Sequence, residues 1–119
     1  MDDSVLNGTK KALGLDPSYD VFDPDIIMHI NSTFATLNQI GVGPEIPFSI
    51  ADDSKKWADF IMADGLVLQM VKSYMYLKVR ILFDPPASSS ILESFKKSAE
   101  EYEWRLNFHA EGVRSDGLT

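Results

Sequence analysis

Cysteine is absent from all 119 residues, which excludes disulfides, thiolate zinc sites and cysteine nucleophiles. Histidine is nearly absent, with His29 and His109 the whole supply. No apolar stretch approaches the ~20 residues of a membrane span, so no membrane role is expected. The opening "MDDSVLNGTKKALGL" lacks the basic-then-apolar order of a secretory signal, which points to the cytoplasm of the producing cell. Positive charge is the minority sign. Eleven Lys and Arg face 18 Asp and Glu, for a net charge of −7 and a pI near 4.6. Phosphate backbones should repel such a chain at long range, so sequence-specific nucleic-acid binding is not expected.

What is present suits one small domain with a modest core. Hydrophobic residues make up 45% of the chain, and roughly two-thirds of the unfolded surface can be buried at this length. There is no internal repeat, low-complexity tract or dividing linker. Many of the acids (Asp16, Asp20, Asp23, Asp25, Asp52, Asp53, Asp64) stand near turns or helix starts, where short carboxylates serve as caps.

Periodicity predicts an all-α fold of about four helices. The first runs from about Ser4 to Leu13 and stops at Gly14. After the turn segment "DPSYDVFDPD", Asp23 is read as an N-cap with Pro24 at N1. Ile26, Ile27, Ile30, Phe34 and Leu37 form the stripe of the second helix, which Gly41 ends. "GVGPEIPFSI" is loop, with a very short strand expected around Phe48 and Ile50. Asp52, Asp53 or Ser54 is expected to cap a short helix holding Trp57, Phe60 and Ile61, which Asp64-Gly65 breaks.

The longest periodic segment is Leu66 to Phe83, about 27 Å if fully helical. Val67, Met70, Val71, Tyr74, Leu77 and Ile81 make its main stripe, and Leu68, Met75, Val79 and Leu82 extend apolar character round a second side. A rod with so narrow a polar face needs cover on most sides, from its own chain or from a neighbour. In "ILFDPPASSSILESF", the residues Asp84, Pro85 and Pro86 end that helix and hold the exit extended. Ser88 to Ser90 offer N-caps, and Ser90 with Glu93 has capping-box spacing. The last helix carries Ile91, Phe95, Ala99, Tyr102 and Leu106 as its seam, with Glu93/Lys97, Lys96/Glu100 and Glu101/Arg105 pairs elsewhere. Residues 1–107 are read as the domain and 108–119 as a flexible tail.

Catalytic furniture is sparse. Asp25 and His29 share a helix face, but two ligands do not close a metal site, and a capping Asp with a surface His is the simpler account. Glu100, Glu101 and Glu103 point to different sides of one helix. "GVGPE" lacks the lysine and flanking elements of a phosphate loop. No enzyme, metal or cofactor is expected. Two features remain. The charges of the central helix are Lys72, Lys78 and Arg80, all basic, whereas the last helix is mainly acidic, which suggests pairing within or between chains. Trp104, Tyr76, Phe108 and Met75 lie off the assigned seams, as interface aromatics and methionines do.

"FDPDIIMHINSTFATLNQIGVGP", "FSIADDSKKWADF", "VKSYMYLKVRILFDPP" and "EYEWRLN" together resemble the head–tail connector (adaptor) proteins of long-tailed bacteriophages. The resemblance spans roughly Leu13 to Asn107. It implies a structural virion protein of the neck, assembled in the host cytoplasm. Such adaptors form a ring, usually twelvefold, under the portal protein, extend the DNA channel and dock stopper or tail-completion proteins. Genomic DNA passes through without specific binding. On this reading the contact candidates are Lys72 and Arg80 toward Glu100 or Glu101, the corner Asp84, Pro85 and Pro86, and Trp104, Arg105 and Phe108, with the tail from Phe108 reaching the portal or the adjacent subunit. The rival reading is an acidic DNA-mimic or regulatory protein-interaction module, which would need carboxylates spaced like phosphates on one face.

Overall fold

The computed structural model describes residues 3–62 and 65–118, with side chains described as far as Gly112. Among the described residues there are five helices: α1 Val5–Ala12, α2 Asp23–Gln39, α3 Trp57–Phe60, α4 Gly65–Phe83 and α5 Ser89–Leu118. One isolated antiparallel bridge aside, between Ser4 and Lys56 and made by the bonds Val5 N to Lys55 O (3.0 Å) and Trp57 N to Asp3 O (3.2 Å), the fold of the described residues is all-α.

Local chemistry accounts for the helix ends. The Ser4 hydroxyl accepts the Asn7 amide at 3.2 Å and caps α1, and Gly14 leaves the helix at φ 85°. Phe22, one residue before the predicted Asp23, is the N-cap of α2. Asp23 and Asp25 then occupy the first turn with Pro24, where negative charge and a missing N–H are both favourable. Gly41 follows the helix at φ 88°. The cap of α3 is Lys56, not Asp52, Asp53 or Ser54. Asp59 accepts the Lys56 amide at 2.8 Å, while Asp52 is spent on its own turn, accepting the Ser54 amide at 2.9 Å. Asp64, expected to break this helix, lies outside the described residues. At α5 the Ser88 hydroxyl receives the Ile91 amide at 3.4 Å, so Ser88 caps ahead of Ser90.

No strand forms at Phe48–Ile50, although the alternation is present: Phe48 is half-buried, Ser49 exposed and Ile50 buried. The Asn31 side chain supplies what a neighbouring strand would, accepting the Ile50 amide at 2.8 Å and donating to its carbonyl at 3.0 Å. One side chain thereby satisfies a two-sided backbone demand.

The rod α4 packs on α2 and α5, and more lightly on α1. Val67, Val71, Tyr74, Met75, Leu77 and Val79 are buried by the chain itself. Of the two sources of cover the sequence left open, its own chain supplies that of the middle of the rod, because α2, α5 and α1 together enclose it. Its ends differ: Leu66 is 73% and Leu82 51% exposed. Met75 belongs to the core, and Tyr76 is half-buried, its ring 6.3 Å from that of Phe95. An aromatic cluster closes the α2–α3 side, with Phe34 4.7 Å from Phe60 and 5.0 Å from Phe48 between ring centroids.

The seam of α5 is Ala99, Leu106 and Ala110, flanked by half-buried Phe95 and Tyr102. Ile91, assigned to that seam from spacing, is 49% exposed. The helix also continues to Leu118, well past Asn107, where the apolar period fades. A 30-residue helix is about 45 Å long, comparable with the 48 Å long axis of the whole molecule.

Candidate contact surfaces

Among the described residues no group of three or more His, Cys, Asp or Glu side chains could hold a metal ion. Asp25 is exposed and His29 half-buried on α2. His109 sits on the exposed side of α5, at the mouth of an apolar groove described below.

The best-formed polar arrangement joins segments and was not anticipated. Lys10 is completely buried. Its ammonium lies 2.8 Å from Asp23 Oδ1 and donates to the Pro17 carbonyl, also at 2.8 Å. It pins the end of α1, the turn segment and the start of α2 to one another. The signal in the sequence is faint, since a lysine in "TKKA" looks like any solvated helical base. Asn107 was likewise unforeseen; its amide donates to the Ile40 carbonyl at 3.0 Å and ties α5 to the end of α2.

The predicted contact residues fall into two groups. At the corner, Arg80 acts as a bracket. Its Nε donates to the Asp84 carbonyl at 2.6 Å, its Nη1 to the Tyr76 hydroxyl at 3.0 Å, and its guanidinium stands 5.8 Å from the centroid of the Phe95 ring on α5. The Asp84 carboxylate is 3.8 Å away. Pro86 is half-buried and Pro85 exposed. Lys72 lies 3.9 Å from Asp3 and 5.9 Å from the Trp57 ring. Within the chain, therefore, the partners of Lys72 and Arg80 are Asp3 and Asp84, not Glu100 or Glu101. Glu101 is instead bonded to Arg105 one turn on, and Glu100 is exposed.

The second group is apolar. Trp104 and Phe108, each 67% exposed, stack on one another with centroids 5.6 Å apart and planes 19° apart. With Leu66 and Met70 of α4 they border a shallow depression that Arg105 also lines. At the far end of α4 a second aromatic patch gathers: Phe22 lies 5.4 Å from Phe83 and 5.8 Å from Tyr19, with Val21 65% exposed beside it. Large exposed aromatics in company mark contact surfaces more often than isolated ones do.

Between the 41–44 turn, α3, the start of α4 and the later part of α5 lies a groove of about 550 Å³. Phe60, Val67, Leu106 and Ala110 form its apolar lining, with Val42, Ile61 and Met62 beside them and Asp59 and His109 as its polar groups. Gly43 shapes the wall. It sits at φ 91°, and a Cβ there would run into the Phe60 ring.

Two further carboxylates are spent locally. The Ser18 hydroxyl and amide hold Asp16 below the usual carboxylate range, and those of Ser54 do the same for Asp52. In the core, burial pushes the Tyr74 phenol well above its ordinary value, and the nearby Glu103 carboxylate adds to the shift. The Tyr74 hydroxyl has no hydrogen-bond partner of good geometry.

No curated protein and no solved structure matches the chain. A family does: residues 5–113, from the start of α1 to within the last two turns of α5, match the phage connector protein family. That match covers most of the chain, and the chain belongs to the phage connector protein family.

Proposed function

We propose that this connector works as a ring of identical subunits beneath the portal, extending the DNA channel and offering its far side to stopper or tail-completion proteins. Membership of the connector family over residues 5–113 is the observation that carries the reading. The fold supports it in three ways. Apolar patches at opposite ends of α4 provide two different surfaces, as a heterologous ring contact or a contact with two different neighbours requires. A charge of −7 per copy sums around a ring, and an acidic wall lets DNA slide without sticking. The last helix continues to Leu118, and its terminal segment is our candidate for reaching a neighbouring subunit or the portal.

The corner Asp84-Pro85-Pro86 sets the angle between α4 and α5 and so the geometry of any ring. An intersubunit pairing of Lys72 or Arg80 with Glu100 or Glu101 would have to compete with Asp3 and Asp84, which already hold those cations, so the apolar surfaces are the better candidates for contact.

The test is sedimentation of the purified full chain with portal-bearing, DNA-filled capsids, with copies per portal counted by quantitative mass spectrometry. Many copies per portal are expected, about twelve if the ring follows the usual symmetry of these adaptors. A chain that stays in the supernatant, or binds as a single copy, would end the proposal.

A further inference from the structure

The exposed aromatic pair and the apolar groove sit on different faces of one helix. Trp104 and Phe108 each stand two residues from a groove-lining residue, Leu106 and Ala110 respectively. At 3.6 residues per turn, that separation is roughly 200° around α5. The chain therefore carries a projecting aromatic pair on the outer face of α5 and an apolar recess under its inner face.

We propose that these two features are the two halves of one intersubunit contact: Trp104 and Phe108 of one copy seat in the groove beside Phe60, Leu106 and Ala110 of the next. This rests on the ring reading above and names the surfaces that would build it. Because the knob and the recess lie on nearly opposite faces of α5, they do not share one patch that could pair reciprocally across a two-fold axis. They give head-to-tail association, which closes into a ring when the rotation allows.

Three observations favour a second copy as the occupant. The first is fit. The recess holds about 550 Å³ with a mainly apolar lining, suited to large aromatic side chains, and Asp59 at its edge offers a carboxylate acceptor for an indole N–H. The second is charge. Copies of net charge −7 repel one another, so they must meet where charge is sparse or paired. Around the knob, Arg105 is held by Glu101; among the described residues lining the groove the carboxylate is Asp59, with His109 beside it. The Arg105–Glu101 pair brings no net charge toward that edge, so the contact avoids adding to the repulsion between copies. The third is the nature of the knob. A stacked Trp–Phe pair is the kind of anchor on which interface energy concentrates, provided a pocket desolvates it.

The experiment replaces Trp104 with a photoreactive aromatic, Trp104→p-benzoylphenylalanine, which keeps the bulk of the knob. Equal amounts of ¹⁴N- and ¹⁵N-labelled full chain are assembled on portal-bearing capsids, irradiated and digested. The expected product joins the peptide around residue 104 of one isotope to a peptide within residues 41–62 of the other. Attachment to the portal, to a tail protein or to a different segment of the neighbouring copy would overturn the proposal. So would many copies per portal with no cross-link, an outcome that leaves the ring reading standing. Fewer than two copies per portal would remove both.

Two variants give an independent check. Trp104→Ala removes the knob, and Ala58→Trp fills the groove from an exposed position on its lining. Each alone should weaken retention of copies on the portal about tenfold or more, with the thermal midpoint unchanged. Unchanged retention by either folded variant counts against the contact.

Discussion

Lys10 and Lys72 are both lysines within reach of an aspartate, and burial separates them. Lys10 is enclosed, with Asp23 at 2.8 Å, so removing it strands a carboxylate whose side chain keeps only 24% of its exposure. Lys10→Ala should cost about 3 kcal/mol, at the lower end for a broken buried pair because water still reaches Asp23. Lys72→Ala, with a 3.9 Å contact to a mostly exposed Asp3, should cost under about 1 kcal/mol. Urea unfolding of the two variants checks the contrast, and equal losses would contradict it. Tyr74 gives a prediction of opposite sign. Burial raises its phenol above the ordinary value of 10.0 in the folded state, so the unfolded chain releases that proton first. The stability linked to it is whole below pH 10 and falls as pH rises beyond. Tyr74→Phe should flatten this alkaline decline and, because the hydroxyl lacks a good partner, should raise stability by about 1 kcal/mol at neutral pH. A steeper alkaline limb in the variant would refute it.

At the scale of elements, the two turns that matter are rigid for different reasons. Gly43 is required by its positive φ and by the Phe60 ring behind it. Gly43→Ala should cost about 2 kcal/mol or more through backbone strain and the displaced ring, read as a lowered thermal midpoint. The corner between α4 and α5 is held by proline stiffness together with the Arg80 bracket onto Asp84, Tyr76 and Phe95. Pro85→Ala with Pro86→Ala should lose about 1–2 kcal/mol, chiefly because the unfolded chain gains freedom. Their larger effect should be on assembly, measured as copies per portal, since a looser corner blurs the angle at which α5 is presented. Normal copy number in the double variant would show that the corner is only a chain reversal.

For the whole molecule, the acids decide between a connector and a DNA mimic. A mimic needs free carboxylates in phosphate-like rows. Here Asp16 and Asp52 close their own turns, Asp59 caps α3, Asp23 holds Lys10 and Glu101 holds Arg105. A surface with these carboxylates spent locally is expected to repel DNA diffusely without copying its spacing. In competition assays the protein should leave DNA-binding enzymes uninhibited at micromolar concentration, and potent inhibition would restore the rival reading. The middle of α4 is covered by α2 and α5 of its own chain, so the apolar surface left for partners includes the ends of α4, the outer face of α5 and the groove between the 41–44 turn, α3 and α5.

Helix order and several termini were legible in the residues themselves, because caps, prolines and glycines act locally: Ser4, Pro24, Gly14, Gly41 and the Asp84-Pro85-Pro86 corner all fall at or within a residue of their predicted roles, whereas the cap of α3 (Lys56) and the end of α5 (Leu118) did not. So was the exposure of Trp104 and Phe108, since they break the 3.6-residue period of the α5 seam. What only the tertiary structure decided depends on residues far apart in the chain. Lys10 becomes a buried strut only when the 13–22 turn folds back over it, Asn31 replaces a missing strand nineteen residues away, and the groove exists only where the 41–44 turn, α3 and α5 meet. The degree to which α4 is hidden belongs here too. Periodicity reports how much of a helix is apolar, but whether kin or neighbours cover it is set by packing between elements, which no local pattern encodes.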